Sequence, residues 1–138
     1  MRSARAYRSQ NLREPSNSIP LRRVGDFVLQ DFARKCSEML REEDLLGRLG
    51  GEEFGVVLPQ TDGAAAMIAA ERIRQNFSDS CTVLNAGETI SCTVSIGIAA
   101  LGAQNVSCEE LLQQADRALY AAKHGGRNRV VLDLAPQS

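Results

Sequence analysis

Tryptophan is absent, and histidine occurs once, at His124, among 138 residues of which 4% are aromatic. A zinc site built from cysteine and histidine therefore lacks its second histidine. Cys36, Cys81, Cys92 and Cys108 stand far apart and form no CxxC pair. They are expected to act as small buried hydrophobes in a reducing cytoplasm, since no secretory apolar stretch opens the chain. No apolar run approaches the ~20 residues of a membrane span, so no membrane contact is expected. Charge of one sign is also lacking. Sixteen Lys+Arg oppose seventeen Asp+Glu, and a net charge of −1 argues against a nucleic acid polymer as partner.

A hydrophobic content of 43% in a chain of this size is enough for one core and one domain. The charge is unevenly spread. Residues 1–23 carry six arginines against Glu14 alone, together with Pro15 and Pro20 and no sustained apolar periodicity. This predicts loop or disorder over 1–23 and an organised domain from about Val24.

From there the periodicities are readable. Phe27, Val28, Phe32, Cys36, Met39 and Leu40 predict a helix over about 26–42, with Asp26 as its N-cap. Leu45 to Leu49 and Phe54 to Leu58 predict a β-hairpin whose tip is Gly50-Gly51. Alanines with Met67, Ile68, Ile73 and Phe77 predict a helix over about 63–77, and strands are expected at 81–84 and 89–100 around an Asn85-Ala86-Gly87 turn. Ser107 and Glu110 form a capping-box pattern opening a third helix to about Lys123. Gly125 and Gly126 are expected to end it in left-handed conformation, before a last strand at 129–132.

The chemistry-bearing feature is Gly50-Gly51-Glu52-Glu53-Phe54. Two residues without side chains let a phosphate approach the backbone, and two carboxylates follow at once. Magnesium binds through one or two carboxylates plus substrate phosphates, so the combination suits divalent metal and polyphosphate chemistry. Adjacent carboxylates in a regular strand point to opposite faces, so a turn at the glycines is what lets both serve one site. Taken alone, the same string also describes a glycine hairpin with two solvated acids. His124 has no identifiable partner and is expected to be solvated.

The surrounding segments give the string its context. VGDFVL at 24–29, DLLGRLGGEEFGVVLP at 44–59, AAERIR at 69–74, TVSIGIA at 93–99 and DRALYAAKHGGRNRV at 116–130 resemble, in order and spacing, the GGDEF family of diguanylate cyclases. The resemblance implies an α/β fold, a nucleotide-cyclase-like sheet flanked by helices. It also implies condensation of two GTP molecules into cyclic di-GMP with release of two pyrophosphates, one GTP on each protomer of a homodimer, and Mg²⁺ or Mn²⁺ as cofactor. By resemblance Glu52 and Glu53 are the catalytic and metal-binding acids, Gly50 and Gly51 contact substrate, Asp26 reads guanine, and Lys123 and Arg127 hold the triphosphate. Arg41 and Asp44 match the family's inhibitory RxxD site for cyclic di-GMP, to which Arg72 adds a further arginine. Each has a plainer role available: helix cap for Asp26, macrodipole partners for Lys123 and Arg127, a charged helix end for Arg41 and Asp44.

The family's domain begins with an interior strand bearing a metal-binding aspartate, followed by a phosphate-contacting lysine and a guanine-binding asparagine. Residues 1–23 do not match that pattern. The expectation is therefore a disordered or unrelated segment at 1–23 and a partial, N-terminally truncated GGDEF domain at 24–138, short of one interior strand and prone to associate. Weak or absent turnover is expected of this chain alone. The alternative function is a catalytically inactive cyclic di-GMP receptor or an interaction module.

Overall fold

The structure is a computed structural model that describes residues 3–9 and 21–133, except 85–86 and 103–106. In chain order its elements are β1 (Ser3–Ser9), α1 (Leu21–Met39), β2 (Leu45–Gly50), β3 (Glu53–Val57), α2 (Gly63–Asp79), β4 (Thr82–Val83), β5 (Thr89–Ile90), β6 (Thr93–Ala99), α3 (Cys108–His124) and β7 (Val130–Asp133). Five strands form one sheet in the order β2-β3-β1-β6-β7, and β4 and β5 pair as a separate hairpin. Only the β6–β7 pairing in the larger sheet is parallel, as a strand–helix–strand crossover requires.

Strand β6 explains the layering. Along Thr93–Ala99 every residue after the first is buried, so both faces of the strand are covered. Val94, Ile96 and Ile98 join the main core with Val28, Phe32 and Cys36 of α1, Phe54 and Val56 of β3, and Ala70, Ile73 and Phe77 of α2. The alternate residue Ala99 packs instead with Leu111 and Ala115 of α3. Two helices thus cover one face and α3 the other, as the period of two along a strand dictates. Glycine is required at position 97. A Cβ there would overlap the backbone of Ala115 and Leu119, so α3 lies directly on the strand.

Helix α2 opens at Asp62, whose side chain accepts from the Ala65 N–H, and α3 opens at Ser107, which accepts from the Glu110 N–H. The small hairpin is tied to α1 by one polar knot. Lys35 Nζ lies 2.7 Å from Asp31 Oδ2 and donates to Ser80 Oγ and Cys81 O, while Thr82 Oγ1 donates to Asp31. Burial opposes the charge on Asp31, but the hydrogen bonds from Lys35, Thr82 and Arg34 outweigh it and hold the carboxyl below its ordinary value.

Several expectations are corrected. The interior slot of the sheet is filled: Ser3–Ser9 pairs antiparallel with β3 on one side and β6 on the other. Pro15 and Pro20 both lie beyond this stretch, so every residue in it keeps the N–H a central strand must supply. The ladders of β3 and β6 satisfy the segment although its sequence lacks an alternating apolar pattern. Helix α1 starts at Leu21, which puts Asp26 inside the helix and not at its cap. The predicted strand at 89–100 is two strands, broken at 91–92. Gly125 closes α3 at φ −79°, and the left-handed residues are Gly126, Arg127 and Asn128. Cys36 and Cys92 are buried as expected, and burial pushes the Cys36 thiol up to about 12, whereas Cys81 and Cys108 are exposed. The Asn85-Ala86 part of the predicted turn, Glu14, Pro15 and Pro20 lie outside the described residues.

The position of β1 makes Ala6→Pro a direct test. Losing one central N–H leaves a carbonyl of a neighbouring strand unpaired, which costs about 1–3 kcal/mol. Chemical denaturation is expected to show that loss, with faster amide exchange across Phe54–Val57 and Val94–Ile98. An unchanged unfolding midpoint would mean that the sheet does not use this strand.

Candidate functional site

The glycine pair forms the tip of the β2–β3 hairpin. Gly50 has φ 148° and Gly51 φ 49°, and a Cβ on either would meet nothing within 4 Å. These glycines serve backbone conformation and leave open space above the turn, which is what a phosphate approaching peptide N–H groups requires. The register slips between Arg48 and Gly50, so Gly50 pairs with Glu53 across a bulge. Glu52 sits in the turn and Glu53 opens β3, both half-buried. A residue the sequence did not single out holds this tip: Arg48 donates from Nε and Nη2 to the Gly51 carbonyl at 2.9 and 2.7 Å.

Beside the hairpin, Asp26, Leu29, Gln30 and Ala33 of α1 face Leu46, Gly47, Arg48 and Phe54 across an open groove of about 350 Å³. An exposed carboxylate and an amide stand on one wall, and an arginine and a glycine on the other. Apolar side chains line the rest. A flat heterocycle with N–H donors fits that chemistry.

Strand register brings the remaining candidates to the same end of the sheet. Tyr7 is the partner of Glu53 in β3 and of Ser95 in β6, so Glu53 and Ser95 lie two strand spacings apart, about 10 Å. The Asn128 N–H donates to Ser95 Oγ at 3.2 Å, which fixes the loop after α3 against β6. Half-buried Lys123 stands in the last turn of that helix. Exposed Arg127 stands in the loop at φ 63°, its N–H donating to Ala122 O at 3.0 Å. Cationic side chains at a helix C-terminus thus flank the acids of the hairpin across β1. His124 is exposed as expected, yet its ring stacks on Tyr120 at 3.7 Å between centroids and its Nδ1 lies 3.0 Å from Tyr120 O.

Arg41 and Asp44 lie elsewhere. They precede Leu45, the partner of Val57, at the far end of the hairpin, about 14 Å along β3 from Glu53. Asp44 accepts from the Arg41 N–H at 2.8 Å and from its Nη2 at 3.2 Å, and its side chain is only 3% exposed against 53% for Arg41. The same Nη2 donates to Thr61 Oγ1 at 2.7 Å and Pro59 O at 3.2 Å, while Nη1 reaches Glu43 at 3.4 Å. Thr61, which the sequence did not mark, is thus part of this cluster. Arg72 lines a different, shallow groove on α2 with Met67, Ile68, Glu71 and Gln75.

Residues 22–129 match the family described as "Diguanylate cyclase, GGDEF domain". The chain belongs to this family. Among curated proteins it is 40% identical over 109 residues to diguanylate cyclase A of Treponema denticola, covering 79% of this chain and 29% of that protein. It is 44% identical over 109 residues to the response regulator PleD of Caulobacter vibrioides, covering 78% of this chain and 24% of PleD. The chain therefore spans under a third of the length of either relative. Among solved structures, the GGDEF domain of YfiN (TpbB) from Pseudomonas aeruginosa superposes with a TM-score of 0.82 at 28% identity, covering 96% of this chain and 81% of that one. The GGDEF domain of DgcB from Caulobacter crescentus, in complex with c-di-GMP, gives 0.81 at 27% identity, covering 96% and 77%. No helix among the described residues is long and apolar enough to cross a membrane.

The expected cofactor can be tested against the donors of this GGDEF domain. Glu52 and Glu53 suit one hard cation that also binds nucleotide phosphates. Residues 3–9 contain no acid, and no group of three or more His, Cys, Asp or Glu comes together among the described residues. Among the described residues, the acids at the hairpin tip are Glu52 and Glu53.

The Arg48 clamp is checked by amide exchange. An exposed charge-assisted bond of roughly 1 kcal/mol corresponds to about a fivefold change in an opening equilibrium. Arg48→Ala is expected to accelerate exchange at Gly51 to Phe54 by about that factor, with β6 unaffected. Unchanged protection would show that the bulge holds its own shape.

Proposed function

We propose that this chain binds GTP at the end of the sheet where the β2–β3 tip and the loop after α3 meet, and cyclic di-GMP at the Arg41–Asp44 turn. It is a diguanylate cyclase-type domain whose turnover, by itself, is slow. The observation that carries the reading is the Glu53, Tyr7, Ser95 register, which puts the start of β3 and the loop after α3 at the same end of the sheet. Guanine lies in the α1 groove with its N1–H and exocyclic amine donated to Asp26. Gly50 and Gly51 admit the phosphates to the backbone, and Lys123 and Arg127 neutralise the triphosphate.

In the condensation each 3′-hydroxyl attacks the α-phosphorus of the other GTP. One P–O bond forms, the bond to the β-phosphate oxygen breaks, and pyrophosphate leaves. Two such events close the ring, one GTP being held on each protomer of a homodimer. Glu52 is placed to accept the hydroxyl proton, and Glu53 to hold the Mg²⁺ or Mn²⁺ that arrives with the triphosphate. When bound, the ion neutralises phosphate charge and lowers the pKa of the hydroxyl. The acid-free β1 supplies no carboxylate for a second ion, and this favours slow turnover and the receptor role as the second reading.

At the Arg41–Asp44 turn the exposed Arg41–Glu43 contact is the most cheaply exchanged for a ligand phosphate. Binding swings Arg41 off Asp44, which uncovers the Asp44 carboxylate to accept from a guanine edge while Arg41 stacks on the base. The c-di-GMP complex of the DgcB GGDEF domain supports cyclic di-GMP as a ligand by likeness. Arg72 contributes if the bound dinucleotide extends along α2.

Two measurements test the reading. Titration calorimetry is expected to show cyclic di-GMP affinity falling ten- to a hundred-fold in Arg41→Ala, the loss of a charge-assisted fork of about 1.5–3 kcal/mol. Equal affinities for the two proteins would remove the site. Chromatography of GTP incubated with Mg²⁺ is expected to give little or no cyclic di-GMP from this chain. Replacing residues 1–20 with the corresponding segment of the Treponema denticola cyclase is expected to raise turnover. A rate from the native chain matching that of the chimaera, abolished by Glu52→Ala, would refute the account of β1.

A further inference from the structure

Arg74 lies on α2, outside every candidate site described so far, yet its guanidinium is committed on all sides. Its side chain is 15% exposed. It pairs with Glu71 through both Nε and Nη2, donates from Nη2 to Gln75 Oε1 at 2.9 Å, and donates from Nη1 to Asn128 Oδ1 at 2.9 Å. Asn128 is 54 residues away in the chain. It stands at φ 47°, directly after Arg127 at φ 63°. Two consecutive non-glycine residues in left-handed conformation cost about 1 kcal/mol or more each, and persist only where the surroundings hold them.

The holding contacts come from three elements. Arg74 binds the Asn128 side chain from α2, and the fully buried Ser95 of β6 receives the Asn128 N–H. Arg129, entering β7, donates from Nε to the Arg127 carbonyl at 3.1 Å. Its guanidinium lies against Gly125 and Gly126, where a Cβ would crowd it. The Arg127 side chain itself makes no hydrogen bond or ion pair within the described residues. Its backbone is clamped and its guanidinium is left for something else.

We infer that Arg74 and Asn128 form a clamp that positions Arg127 for the triphosphate, so that Arg74 is a positioning residue for nucleotide binding although it touches no nucleotide. The inference rests on the proposed GTP site. A guanidinium carried on a fixed backbone loses less freedom on meeting phosphate than one on a loose loop, and this difference appears as affinity. The effect is confined to ligands that reach Arg127. Guanosine, which stops at the α1 groove, gains nothing from the clamp.

The test compares GTP with guanosine, by calorimetry in Mg²⁺, on the wild-type chain, Arg74→Gln, Asn128→Gly and the double variant. Glycine at 128 keeps the left-handed backbone without strain and changes no charge, so it separates positioning from electrostatics. Each single variant is expected to lose about five- to thirty-fold in GTP affinity, and less than twofold for guanosine. The double variant is expected to bind no more weakly than the worse single one, as for two residues acting as one unit. Wild-type affinity in either single variant overturns the clamp while leaving the GTP site intact. Equal losses for guanosine and GTP, or additive losses in the double variant, also overturn it. Failure of the wild-type chain to bind GTP overturns the proposed function and the clamp together.

Discussion

The pairing of Ser3–Ser9 between β3 and β6 is the constraint on which the other features depend. Without it Glu53 and Ser95 have no common register, and the turn at Gly50-Gly51 has no defined distance to the loop at Gly125–Asn128. Backbone hydrogen bonds transmit this constraint, so it needs no particular side chains from β1. A segment with no sustained apolar periodicity can therefore occupy the centre of a sheet. It satisfies the ladders on both sides and brings no carboxylate to the site.

Helix α2 links the two ends of the molecule. Its N-cap, Asp62, follows Thr61, which accepts from Arg41, and about three turns later Arg74 reaches Asn128. One face is buried through Ala66, Ala70, Ile73 and Phe77, which fixes the helix against the sheet and sets where its polar groups emerge. Glycine at 97 does comparable work on the opposite face, where it lets α3 rest on β6 and carries the C-terminal turn of α3, with Lys123, to the edge of the site.

Much of the fold was readable locally. The Ser107 cap and the apolar stripes before the following breaks specify α2 and α3, and the glycine pair specifies the hairpin. The start of α1 was missed because Leu21 to Arg23 carry more charge than apolar pattern, so Asp26 looked like a cap. Arg48, Thr61, Arg74 and Asn128 escaped notice for a different reason. Their partners lie 3, 20 and 54 residues away, and nothing in the identity of an arginine says which carbonyl or amide will face it.

The sequence by itself determined the family, because several short segments match in order and each has a local physical meaning: a bare turn followed by acids, a capped helix, a basic helix end. Only the tertiary structure decided that the acids of the hairpin and the arginine after α3 share one end of the sheet, that Arg41 and Asp44 lie at the other, and that residues 3–9 join the two halves. Strand pairing is non-local and made by backbone groups common to all residues. Its partners and register are therefore settled by which edges the rest of the fold leaves open.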